Sequence, residues 1–218
     1  MNWLLIALLA VPALTAALLW ALPAAMGDRV AAIVGSVISG LVLIGSAVLW
    51  WDLLRPGDGP LQIFAGEMPR TLPGKIVNAH AETDVSWIPA LDVRFHVGID
   101  TISMPLIVLT TLLVFLCCLY SLRITPRVGR TRSLIALLLV IETGVIGTFS
   151  ALDLVLFFLF FEVVLIPMWL VIDIWGDEHD AAGRRRAATT FVLMTVLGSA
   201  LMLLGFLLVH RLLGTFDL

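Results

Sequence analysis

Apolar runs about twenty residues long dominate this chain, and polar positions are confined to the gaps between them. A helix must hold about 20 mostly apolar residues to cross the hydrocarbon layer of a bilayer. Six stretches meet that length: Trp3–Leu22, Val30–Trp51, Ile102–Leu122, Ser133–Leu152, Leu154–Ile174 and Phe191–Leu213. The pattern predicts an all-α, polytopic membrane helix bundle of about six transmembrane helices. Residues 1–51 carry the first two helices, residues 52–99 form a long extramembrane loop, and residues 100–218 carry helices three to six.

Punctuation between the runs adds local detail. The long loop holds Pro56, Pro60, Pro69, Pro73 and Pro89 with several glycines and little periodicity. Asp100 stands where a helix N-cap is wanted, ahead of the third span. Ser150 followed by Asp153 resembles a capping box that starts the fifth helix as the fourth ends. So short a connection predicts an antiparallel hairpin of the fourth and fifth helices. The opening Met-Asn-Trp lacks the basic segment of a cleaved signal peptide, so the first run is expected to stay as a spanning helix.

Composition agrees with the pattern. The chain is 61% hydrophobic and 13% charged, with a mean hydropathy of +1.08. Soluble domains are about half apolar and about a quarter charged, so lipid is the expected solvent. A net charge of -3 leaves no basic surplus for nucleic acid. Cys117 and Cys118 are the only cysteines. Adjacent helical positions point about 100° apart, which rules against a disulfide between them. With His210 remote, they read as small packing residues, and no metal site is expected.

Arginines set the orientation. Arg29, then Arg123, Arg127, Arg130 and Arg132, then Arg184, Arg185 and Arg186 fall in short loops on one side. Arg55, Arg70, Lys75, Arg94 and Arg211 are spread through longer, more acidic stretches on the other. The positive-inside rule makes the first side cytoplasmic and puts the N-terminus outside. The Arg184–Arg186 run reads as an anchor there, with anionic lipid headgroups as a further ligand.

Candidate chemistry lies inside the spans. Glu162 sits mid-way along the fifth, and no residue in the eight flanking positions can satisfy it. A buried acid of this kind costs at least a few kcal/mol and marks an ion or proton path by default, with interhelical glue as the bland alternative. Pro167, five residues on, cannot donate to the carbonyl of Val163, which opens the helix ladder beside the acid. Asp173 falls about 20° from the same face and about 16 Å along it, as a point of proton uptake or as a plain interfacial residue. Glu142 lies within the fourth span at a matching depth, since both acids are about ten residues from Asp153. If the two faced one interior they could share a proton. His210 and Arg211 read as interfacial anchors, His96, Gly98 and Asp100 as structural, and Gly198, Ser199 and Gly205 as sites of close helix packing.

The motifs Gly98-Ile-Asp-Thr-Ile-Ser-Met-Pro-Leu-Ile-Val-Leu-Thr110, Asp153-Leu-Val-Leu-Phe-Phe-Leu-Phe-Phe-Glu162-Val-Val-Leu-Ile-Pro-Met168 and Ile174-Trp-Gly176 are those of a known family. They closely resemble subunit M, the mitochondrial chain 4 equivalent, of proton-translocating NADH-quinone oxidoreductase, respiratory complex I. Subunits of multisubunit sodium/proton antiporters carry similar motifs. The resemblance implies an antiporter-like fold of inverted repeats and a translocase subunit that couples electron transfer to proton movement. It implies no cofactor in this chain: NADH, FMN, iron-sulfur clusters and quinone belong on partner subunits. The implied partners are other membrane subunits, especially the antiporter-like subunits L and N, in the cell inner (plasma) membrane.

The same resemblance matches Glu162 to the family's fifth-helix glutamate, which pairs with a lysine on a seventh helix. Here the one lysine is Lys75, in the long loop. Thr101 stands where the family often has glycine, and Thr190 and Met194 where lysine and tyrosine are common. The chain is therefore expected to be an N-terminal fragment, lacking Glu162's positive neighbour. The alternatives are a sodium/proton antiporter subunit and a non-catalytic membrane assembly protein.

Overall fold

The computed structural model describes residues 2–21, 27–54, 80–89, 93–123, 130–177 and 179–217. Pro56, Pro60, Pro69, Pro73, Arg55, Arg70, Lys75 and Arg127 lie outside those residues. The described elements are α1 (Asn2–Ala21), α2 (Asp28–Leu53), β1 (His80–Ile88), β2 (Val93–Ile99), α3 (Ser103–Arg123), α4 (Thr131–Ser150), α5 (Leu154–Trp175) and α6 (Ala181–Leu213). All six helices are long and apolar enough to cross a membrane, so the predicted helical bundle is the architecture found.

Helix α4 is the centre of the bundle. It packs against α1, α2, α3, α5 and β2, and it is the most buried of the six spans. Small residues make this crowding possible. A side chain at Gly35 would strike Ile135 of α4, and one at Gly147 would strike the Phe160 ring of α5. Without a hydrophobic drive between helices in lipid, such close approach supplies the packing contacts.

The core falls into two apolar clusters stacked along the helices. One gathers Leu5, Leu8, Val42, Ile107, Ile146 and their neighbours. The other gathers Ala16, Leu19, Ala32, Cys118, Ile135 and Leu139. Helices α2 and α3 also join buried polar side chains, through the 3.0 Å hydrogen bond of Ser46 with Thr111.

Helix ends follow capping chemistry. Asp100 accepts from the backbone N–H of Ile102 at 3.0 Å, while its own N–H donates to Ser103 Oγ at 2.9 Å. This reciprocal pair starts α3. At α5 the cap is Asp153 rather than Ser150: Asp153 Oδ1 accepts from Val155 N at 2.8 Å and Leu156 N at 3.0 Å. Ser150 ends α4 and its hydroxyl turns back to Gly147 O. The tight antiparallel α4–α5 hairpin forms as expected, with Gly144 and Gly147 set against Phe160 and Val164.

Two features depart from the pattern. The end of the long connection is an antiparallel hairpin, β1 on β2, with Thr83 opposite Val97 and Val85 opposite Phe95. Helix α6 starts at Ala181, capped by Asp180, whose Oδ1 accepts from Gly183 N at 2.8 Å. Arg184, Arg185 and Arg186 are therefore in its first turns, not in a loop ahead of it. Helix α6 ends at Gly214, whose φ of 79° is the left-handed conformation glycine adopts without steric cost. The chain then folds back, and Leu154 N donates to Phe216 O at 3.0 Å.

Candidate functional site

Glu162 lies on α5, half-buried, with its Oε1 buried and without a hydrogen-bond partner among the described residues. The face of α5 toward α4 carries Phe160, Val163 and Val164, and the face toward α6 carries Phe157, whose ring meets Phe206 edge-on at 6.1 Å. Glu162 is about 200° around the helix from Phe160. It therefore projects away from α4, on the face where Leu165, Ile166 and Trp169 of α5 meet Thr189, Val192 and Leu193 of α6. Helix α5 runs unbroken through Pro167, and the Val163 carbonyl still lacks a proline N–H to accept. Asp173 shares the Glu162 stripe in the last turn of α5 and is half-buried.

Glu142 is elsewhere. It is fully buried, and neither carboxyl oxygen has a hydrogen-bond partner among the described residues. Gly144 and Gly147 mark the face of α4 that meets α5, and Glu142 is about 200° from Gly144. Its carboxyl faces α2 and α3, close enough to Cys118 for the two to interact electrostatically. Helix phase puts the two acids on opposite sides of the α4–α5 seam. They do not form the shared interior that depth alone predicts.

The other candidates sort cleanly. Cys118 is buried and Cys117 exposed, both as free thiols. Ser199 is buried, whereas Gly198 and Gly205 face open space on α6. The His210 ring stacks on Phe216 at 3.9 Å. No cluster of three or more His, Cys, Asp or Glu that could hold a metal occurs among the described residues.

One cluster escaped sequence reasoning. His96 of β2 is 4% exposed. Its Nε2 meets Glu82 Oε1 at 2.8 Å, and its Nδ1 meets Asp217 Oδ1. Burial alone would favour the neutral ring, but Asp217 and then Glu82 outweigh it and raise the pKa above the ordinary 6.5. Arg94 and Asp84 form a two-pronged pair beside it, at 2.7 and 2.6 Å. The only signal in the sequence is a histidine in an alternating strand, because Asp217 lies 121 residues away.

Six spans wound around a central α4, with an acid at mid-depth of the fifth, define a polytopic membrane helix bundle. Residues 151–218 match the family described as NADH:quinone oxidoreductase/Mrp antiporter, TM. Part of the chain is similar to proteins named NADH-quinone oxidoreductase subunit M or chain 4. It is 36% identical to subunit M of Rickettsia bellii over 133 residues, 61% of this chain and 26% of that protein. It is 40% identical to NADH-ubiquinone oxidoreductase chain 4 of Chondrus crispus over 136 residues, 62% of this chain and 27% of that one. The matches thus span about a quarter of those relatives' length.

Solved structures agree on the fold. A chain of respiratory complex I from Thermus thermophilus with bound NADH superimposes with a TM-score of 0.70 at 28% identity, covering 98% of this chain and 38% of that one. The Mrp complex of a Dietzia species gives 0.72 at 19% identity, covering 98% and 20%. At that identity the second likeness is one of fold.

Proposed function

We propose that this chain belongs to a membrane-arm subunit of a proton-translocating NADH-quinone oxidoreductase, with Glu162 as its proton carrier. The carrying observation is Glu162 itself: an intramembrane acid with a buried, unpartnered oxygen, on the α5 segment that matches the family. An acid so placed must find a proton or a positive partner. On this reading the partner comes from a further segment packed against α5 and α6, as the family's seventh-helix lysine would be.

The chain then acts as part of a translocase without a redox site of its own. NADH, FMN, iron-sulfur clusters and quinone belong on partner subunits, and its neighbours are the other membrane subunits, L and N foremost. It resides in the cell inner membrane, with the arginine-bearing turns cytoplasmic. The N-terminus, the β1–β2 hairpin and the α4–α5 turn then face outside. Residues 1–51, 52–99 and 100–218 form its three successive parts.

The test is Glu162→Gln in the full-length protein within its assembled complex, read as NADH-driven acidification of inverted membrane vesicles. Pumping is expected to be lost while the complex still assembles. Normal pumping with normal assembly sinks the proposal and leaves Glu162 as interhelical glue. The antiporter reading persists because the matched family spans both classes. Sodium-gradient-driven proton movement in vesicles without NADH would favour it.

A further inference from the structure

His96 of β2 joins parts of the chain that are distant in sequence. Its buried ring meets Glu82 of β1 through Nε2 at 2.8 Å, and Asp217, in the segment after α6, through Nδ1. That segment also touches the start of α5: Leu154 N donates to Phe216 O at 3.0 Å, and Asp217 pairs with Asp153 in an isolated antiparallel bridge. Phe216 in turn stacks on His210, in the last turn of α6. The contact of His96 with Asp217 thus ties the end of α6 and the start of α5 to the hairpin.

Each ring nitrogen faces a carboxylate. A neutral imidazole has one N–H and turns a lone pair toward the second acid, whereas an imidazolium donates to both. The surrounding groups leave that role to His96. On the hairpin, Asp84 is paired with Arg94. Helices α4 and α5 meet β2 at their joining turn, where Asp153 accepts from the backbone N–H groups of Arg94, Val155 and Leu156. Asp100, at the end of β2, caps α3. Helix α1, packed on β1, carries no ionisable side chain, and Arg211 of α6 is exposed. Like charges facing each other across a bridge repel, so Asp217 sits beside Asp153 at least cost when His96 is charged.

We propose that His96 is a proton-operated latch: its imidazolium holds Asp217, and with it the segment after α6, against the hairpin, and its neutral ring releases that segment. Asp217 is the partner let go, because Glu82 is fixed on the adjacent strand by the β1–β2 ladder, whereas Asp217 lies outside any helix or named strand. The ring's pKa is raised above 6.5, so the latch is closed on the acid side and opens as pH climbs through that higher value. Helices α5 and α6 pack on each other, so release frees one end of the pair whose α5 member carries Glu162. In the proposed orientation this end faces the compartment that receives protons. That placement rests on the proposed function; the latch itself stands without it.

Hydrogen–deuterium exchange tests it on the full-length protein in its assembled complex in detergent, from about pH 5.5 to about pH 8.5, the range a histidine spans. Uptake is corrected for the intrinsic pH dependence of exchange and read at the Leu154 and Asp217 amides, which bond to Phe216 O and Thr215 Oγ1. The middle of α4 is the reference. Protection at both amides should fall several-fold above pH 6.5 while the reference stays level. His96→Gln should give low protection at every pH, with no step. A wild-type profile without the step overturns the latch and leaves the cluster as static packing. A step that survives His96→Gln, or one equally large in the reference, overturns it as well. If His96→Gln fails to assemble, Asp217→Asn decides: it should abolish the step, and a persisting step overturns the proposal.

Discussion

Asp153 Oδ2 accepts the backbone N–H of Arg94 at 3.2 Å, joining the α4–α5 turn to β2 across 59 residues of chain. The other oxygen of the same carboxylate caps α5. Leu152 N donates to His96 O at 2.9 Å alongside. One buried acid therefore starts a transmembrane helix and anchors the hairpin that covers its end.

Asp153→Ala should remove both functions. Losing an N-cap costs about 1 kcal/mol, and an orphaned buried N–H at Arg94 costs about 1–3 kcal/mol more. A Tm lowered by several degrees in detergent is expected, with Asp153→Asn recovering part of it through its remaining carbonyl oxygen. Equal losses in both variants would show that the charge, not the acceptor, is what matters.

The His96 cluster predicts a pH dependence whose sign is fixed. The folded pKa is raised above 6.5, so the charged ring favours the folded state. That stabilisation is fully present below pH 6.5 and fades as pH rises through the higher folded value. The facing groups are Asp217, Glu82 and Asp84, with Arg94 paired to Asp84. Thermal unfolding should be steadier on the acid side, and His96→Gln should flatten the difference. A wild-type profile that improves toward alkaline pH would contradict the assignment.

Gly147 is the tightest point of the α4–α5 seam, where an added Cβ meets the Phe160 ring. Gly147→Ala should cost about 1–3 kcal/mol by overpacking. Phe160→Ala opens space at that same point, so the double variant should be more stable than the sum of the two singles. Strict additivity in a thermal-shift series would mean that the seam relaxes elsewhere.

Spans were legible because lipid imposes one length on every helix, and the cap at Asp100 follows from side-chain chemistry alone, whereas the capping-box pattern named Ser150 where Asp153 caps α5. The start of α6 was hidden by Arg184–Arg186, which lower the local hydropathy although the helix already runs there; Asp180 was the available signal. The β2 strand alternates in Val93-Arg-Phe-His-Val97, a pattern masked by the prolines and glycines before it. Counting from Asp153 sets Glu142 and Glu162 at similar distances along their helices. Only the glycines of α4, which show which face meets α5, reveal that the two acids point apart.

Asp173 and Glu162 share one stripe of α5, about 16 Å apart, and their roles on the proton path should differ in kind. Glu162 has a buried, unpartnered oxygen, and replacing it with Gln removes the only ionisable group at that depth of α5. Asp173, near the helix end, can at most speed delivery from the surface. Asp173→Asn should therefore slow vesicle acidification several-fold without abolishing it. A small weak acid such as formate, which carries protons to the same depth from solution, should restore the rate. No such rescue is expected for Glu162→Gln. If formate rescues neither variant and Asp173→Asn is silent, Asp173 is only an interfacial residue and protons reach Glu162 by another face.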